Sequence, residues 1–350
     1  MKAVRSVLTA SNPNKKQISE FIRNLEAGVV PCSSFVAEAS TAKVFKVCNI
    51  NKSNHQCGSS CVALKVPSES ASMEVDAHDA EVQRVIQEAV KDTAAAAHFN
   101  KVLRVLPSDQ GPVIVLEFEE KKLTFHSLAD VLQHVEISEE LWRSVNFQLI
   151  STLYIAQQRV PGFTHNDTHT ENILVVPNTH GHVCTVTSPA GRQMTHYANM
   201  LIKIIDFGQV LATNPKLQTR DGKLIWKNIL WKNKMLDFQR FASWVVFDFS
   251  VYEFKEKRFP SWFQPWMDFV VRWLDPRFFV LEGNRDYEGQ FINNRSGMGM
   301  APNEEGVKWL QATYGEDSPF GLGNMLDDPY FDGFVVPELR FSAQIKPRLV

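Results

Sequence analysis

Two short polar stretches, each joined to an apolar run, constrain this chain more than anything else in its sequence. The first is Thr164-His165-Asn166-Asp167-Thr168-His169-Thr170-Glu171-Asn172, which follows the long amphipathic pattern Leu141 to Gln157 and runs into the strand-like Ile173-Leu174-Val175. It carries Asp167 and Asn172 five residues apart. The second is Asp206-Phe207-Gly208, reached directly from the apolar strand Leu201 to Ile205. Taken singly, Asp and Asn in such places are ordinary turn formers. Taken together and in order, they make an accident improbable.

The upstream third reads as strands and one helix. Val44 to Cys48 and Cys61 to Val66 have strand character, and Val62-Ala63-Leu64-Lys65 ends on a lysine. Pro67 to Met73 is a Ser-rich break, and Asp76 to Ala97 is helical, with Val82, Val85, Ile86, Ala89 and Val90 on an apolar face. Val102 to Leu106 and Val113 to Phe118 are two further strands joined by a Pro- and Gly-bounded turn. Seven of the eight tryptophans lie beyond Trp142, so the character changes after Lys121. Trp262, Trp266 and Trp273 fall at helical spacing and are expected in a core.

Lys65, the Asp167/Asn172 loop and Asp206-Phe207-Gly208, in this order, resemble the signature set of the protein-kinase superfamily over roughly residues 30 to 250. The resemblance implies an α+β, bilobal protein-kinase-like fold with a small β-rich N-lobe and a larger helical C-lobe. It divides the chain into an N-terminal extension (1–30), an N-lobe (31–118) and a C-lobe (119–350). It also implies transfer of the γ-phosphate of ATP to a hydroxyl group, a reaction governed by positioning and electrostatics. By residue, it implies that Asp167 orients the hydroxyl and takes its proton, and that Lys65 holds the α- and β-phosphates. Asn172 and Asp206 would hold Mg2+ (or Mn2+) through hard oxygen donors. His165 would brace the loop, Phe207 would pack beneath the helical acid, and Asp237 would anchor the loop from below. Glu117 heads the connector between the lobes and is placed with the nucleotide. A helical glutamate should pair with Lys65; Glu81 and Glu88 share one helix face, and the reading leans to Glu88.

The sequence departs from the family in three places. Where the pattern has glycines ahead of Val44, this chain has Ala37, Ala39 and Ala42, which makes positive φ costly in a loop expected to cover phosphates. His169 stands two residues after Asp167, where lysine is usual, as in haspin-like kinases and aminoglycoside or choline phosphotransferases, and is expected at phosphate or substrate. Asn172 and Asp206 are separated by 33 residues, and Pro177 to Asn199 reads as an inserted hairpin. The resemblance is therefore to a divergent serine/threonine kinase, viral-like or haspin-like, acting on a protein substrate. A small-molecule kinase of the same fold and a non-catalytic pseudokinase scaffold are the alternatives.

A formal charge of −2 gives no reason to expect a nucleic-acid partner. No apolar stretch approaches the roughly 20 residues of a membrane span, so no membrane is expected and an intracellular location is. Of Cys32, Cys48, Cys57, Cys61 and Cys184, only Cys57 and Cys61 lie near a histidine, His55, and no second pair follows to complete a zinc site. Reduced thiols are the expectation.

Overall fold

A computed structural model describes residues 14–38, 42–50, 56–67, 73–118, 127–212, 234–252, 260–274, 312–313, 321–333 and 346–347. Its first element is helix α1 (Lys15–Glu26), opened by a capping box in which Asn14 Oδ1 accepts from the Gln17 N–H at 2.9 Å and Gln17 returns the bond at 3.1 Å. Ile18, Phe21, Ile22 and Leu25 form one apolar stripe, and all four are buried. They lie against Phe45, Val47, Leu64, Val66, Leu106, Val113 and Val115 of the following sheet. The segment expected as an extension thus covers one face of that sheet. Truncating Phe21 to Ala would cost about 3–5 kcal/mol.

The sheet is antiparallel, built from β1 (Ser33–Glu38), β2 (Ala42–Ile50), β3 (Cys57–Pro67), β4 (Val102–Pro107) and β5 (Pro112–Glu117) in the order β1-β2-β3-β5-β4. Two disulfides staple it: Cys32–Cys57, and Cys48–Cys61 directly across the β2–β3 ladder. This corrects the expectation of reduced thiols. Spacing along the chain revealed no pairing, because the antiparallel register brings the cysteines together. His55 lies outside the described residues. Only Cys184, buried, is a free thiol among the described cysteines. Helix α2 (Met73–Val90) packs on the second face, where Ala80 meets Val102 and Ile114. The expected helix to Ala97 breaks at Thr93, whose hydroxyl bonds the Val90 carbonyl at 2.7 Å, and resumes as a 3-10 turn, Ala94–His98.

The second part is mainly helical: α3 (Leu128–His134), α4 (Glu139–Arg159), α5 (Leu236–Tyr252) and α6 (Phe263–Trp273). Ser138 caps α4 through the Leu141 N–H at 3.2 Å. The rings of Trp142 and Trp262 lie 4.3 Å apart, and Trp266 donates to Asn146 Oδ1 at 2.9 Å. The expected aromatic core is therefore present, while Trp273 sits at its edge, donating to Asp328 at 2.8 Å. Beyond the two-residue β6 (Val135–Glu136), β7 (Ile173–Pro177) pairs antiparallel with β10 (Met200–Ile204), and the insertion between them forms the hairpin β8 (Val183–Thr187) and β9 (Gln193–Tyr197). That hairpin is fastened to α4 by buried polar contacts, Ser144 Oγ to His196 Nε2 at 2.6 Å and Ser151 Oγ to Cys184 Sγ at 3.3 Å. The result is α+β and two-part, a β-rich portion followed by a larger helical one. Among the described residues no helix is long and apolar enough to cross a membrane.

Candidate active site

Strand alternation aims Lys65 at the site. Its neighbours Leu64 and Val66 are buried toward α1, so Lys65 emerges on the other face, between Val44 on β2 and Ile114 on β5 in the ladder. There Nζ lies 3.1 Å from Asp79 Oδ2 and 3.5 Å from Asp206 Oδ1. Neither Glu81 nor Glu88 is its partner: Glu81 is exposed and Glu88 pairs with Lys91. Helix phase explains this correction. Asp79 falls three and seven residues before the buried Val82 and Ile86, on the stripe facing the sheet, whereas Glu81 and Glu88 fall off that stripe. A carboxylate in line with the apolar positions was the available signal, and a shorter acid suffices where the helix lies close. Burial raises the pKa of Asp79 against the pull of Lys65. The Lys65 charge lowers that of Asp206, with burial opposing.

The β7–β10 ribbon brings the two polar stretches together. Ile173 faces Ile204, so Asn172 at the entrance of β7 lies beside the exit of β10, and its carbonyl accepts from the Ile205 N–H at 3.0 Å. Thr164 and Leu211 close the other end with reciprocal main-chain bonds of 2.9 Å. Asn172 Nδ2 donates to the Asp167 carbonyl at 2.9 Å and to Asp167 Oδ2 at 3.0 Å. Asn166 and Asp206 adopt φ of 64° and 61°, a left-handed conformation that Asn and Asp tolerate better than most side chains. Beneath the loop, Asp237 is fully buried and accepts from the N–H groups of His165 and Asn166, each at 2.8 Å, as expected of an anchoring aspartate. Burial pushes its pKa up to about 6 despite those bonds.

His165 is buried against Phe207 with ring centres 5.0 Å apart, and Phe207 in turn meets Phe99 at 5.9 Å. Burial lowers the His165 pKa to about 4, so its ring is a neutral brace. His169 lies 3.6 Å from Asp167 Oδ2 and 3.9 Å from Glu171, with Trp244 of α5 at 5.4 Å between ring centres. Burial lowers its pKa, but the Asp167 hydrogen bond and the surrounding carboxylates outweigh burial and raise it overall.

The remaining expected residues are more dispersed. Ala37 pairs with Val44 in the β1–β2 ladder, Ala42 is buried and Val44 half-buried, while Ala39 lies outside the described residues. Glu117 ends β5, where its N–H bonds the Lys101 carbonyl at 2.8 Å and its carboxylate lies 3.4 Å from the buried Lys203. The connector beyond Phe118, to Lys122, is outside the described residues. A groove of about 540 Å³ opens elsewhere, between α4 and β8, and is lined by none of these residues.

Among the described residues no three His, Cys, Asp or Glu side chains cluster as a metal cage. The donor set here is smaller, one carboxylate and one amide. Asn172 spends its N–H donors on Asp167, which leaves the amide oxygen for a cation, and the lowered pKa keeps Asp206 ionised. Two hard oxygen donors fit magnesium, which commonly takes its other ligands from water and substrate phosphates.

No family model matches the chain, and no curated protein matches it. Among solved structures, a Plasmodium kinase domain is similar at 15% identity and a TM-score of 0.36. That match covers 51% of this chain and 50% of the other, so the chain spans about half of that domain's length. So low a likeness says nothing about chemistry.

Proposed function

We propose that this protein is an ATP-dependent phosphotransferase, a serine/threonine protein kinase that moves the γ-phosphate of Mg-ATP to a protein hydroxyl. The observation that supports it is that three separate segments bring together two pairs, Lys65 with Asp206 at 3.5 Å and Asn172 with Asp167 at 3.0 Å, joined through the main-chain bond from Ile205, next to Asp206, to the Asn172 carbonyl. Lys65 takes the α- and β-phosphates in place of part of its present ion pairing, and Asp79 keeps its ammonium in position. Asp206 and Asn172 would hold the divalent metal, which when bound would supply charge to offset that of the phosphate oxygens. Asp167 orients the acceptor hydroxyl and receives its proton on a carboxylate oxygen as that hydroxyl attacks the γ-phosphorus and ADP departs. His169 stands beside Asp167, which raises its pKa, as a contact for phosphate or substrate.

Transfer of labelled γ-phosphate from Mg-ATP tests this reading, with wild-type protein and Asp206→Ala offered both protein acceptors and small hydroxyl compounds. Label on seryl or threonyl groups, abolished in Asp206→Ala, is the expected result. Label on a small compound alone would replace the protein acceptor. Nucleotide binding without transfer to any acceptor would replace catalysis by a scaffold role.

A further inference from the structure

Helix α5 turns Asp237, Arg240 and Trp244 toward the catalytic loop on one face, at positions i, i+3 and i+7. They meet that loop in chain order: Asp237 at His165 and Asn166, Arg240 at Asn166 and Asp167, Trp244 at His169. The Asn166 residue is gripped from both sides. Its N–H bonds Asp237, its carbonyl accepts from Arg240 Nη1, and its side chain donates to the Gln209 carbonyl at 3.1 Å. This grip holds a residue at φ 64°, immediately before Asp167.

The same Nη1 lies 3.8 Å from Asp167 Oδ1, while Oδ2 accepts from Asn172 at 3.0 Å. Both oxygens of Asp167 therefore face a donor, from two different elements. One nitrogen of the planar guanidinium thus faces a carbonyl and a carboxylate together, its direction fixed by the rigid plane. Lysine, a point charge on a flexible stem, cannot reproduce that geometry. Nothing in the sequence motifs singles out Arg240.

We infer that Arg240 is a positioning residue for the transfer, fixing the Asp167 carboxylate where it meets the acceptor hydroxyl without touching the nucleotide itself. This rests on the proposed role of Asp167.

The test compares wild type, R240K, R240M, D167N and the R240M/D167N pair, measuring labelled-phosphate transfer, nucleotide affinity and melting temperature. R240M is expected to lower kcat about a hundredfold, the scale of a small misplacement of a reacting group, with nucleotide affinity unchanged. R240K should recover part of that loss. In the D167N background, R240M should cost nothing further, because both changes act through one carboxylate. Equal losses from R240M in both backgrounds, or loss of nucleotide affinity in step with kcat, would overturn the inference. If R240M does not fold, R240K decides: reduced kcat at unchanged melting temperature and affinity supports it, and unchanged kcat sinks it. An active wild type with equally active R240M overturns this inference alone. A wild type that transfers phosphate to no acceptor overturns the phosphotransfer reading and this one with it.

Discussion

The sheet part, residues 15–117, and the loop-bearing helical part, residues 127–333, hold their candidate site groups by different means. In the sheet, Lys65 is aimed by strand alternation, and the strands around it are tied by two disulfides and an apolar helix. In the helical part, Asp167 is aimed by hydrogen bonds from a buried polar face of α5, around main chain in an unusual conformation. The first arrangement is generic: any antiparallel sheet with a covered face would present a lysine this way. The second is specific, since each donor and acceptor is matched to one atom of the loop. The loop part should therefore tolerate the least chemical change, and the sheet part the least loss of covalent or apolar support.

Reduction of the disulfides makes the largest expected break between the two. The bridges close loops of 25 and 13 residues in sequence separation, and each is worth about 3 kcal/mol in the chain-entropy account. A dithiol reductant should lower amide protection across β1, β2 and β3 while the β7–β10 ribbon keeps its own. Uniform loss in both ribbons would show that the two parts unfold as one unit.

Next in size is Asp79→Ala, which removes the closer partner of Lys65 and should lower transfer about a hundredfold. Glu81→Ala and Glu88→Ala should stay within about 0.5 kcal/mol of wild type in stability and keep full transfer. If either glutamate proved essential and Asp79 dispensable, the helix phase assigned to α2 would be wrong.

Acid should act on the helical part and on the 3-10 turn Ala94–His98, whose His98 bonds the Ile202 carbonyl of β10 at 3.0 Å. Burial lowers the pKa of His98 to about 4 and that of His196 to about 3, while His165 stands at about 4, all below the ordinary 6.5. The folded state therefore refuses protons that the unfolded chain accepts, so this stability is complete above pH 6.5 and is lost as pH falls toward 4. Each histidine adds a slope of about 1.4 kcal/mol per pH unit within that window. Asp237, raised to about 6 from 3.8, works in the opposite direction, contributing stability at low pH that is lost as pH rises through 6. His98→Gln should flatten the denaturation slope between pH 6 and 4.5 by about one proton. An unchanged slope would mean that His98 takes up its proton without unfolding.

Much of the site was legible because its residues sit a few positions apart beside strongly patterned elements. The spacing of Asp167 and Asn172, the strand before Asp206, the lysine ending β3 and the inserted hairpin are local facts, fixed by covalent distance and backbone periodicity. Asp237 was legible for the same reason, at the start of an apolar helix. Three things were not. The partner of Lys65 depended on the rotation of α2 against the sheet, which selected Asp79 over Glu81 and Glu88. The cysteine pairing depended on the β2–β3 register and on where β1 begins. Arg240 looks, in the sequence, like any charge on a helix, and only the docking of α5 under the loop brings it to Asp167. The sequence by itself determined which groups are carried on which elements, because periodicity and turn chemistry act over a few residues. Tertiary structure decided which of those groups meet, because contacts between distant segments depend on the rotation and register of whole elements, and those are set by burying all their apolar faces at once.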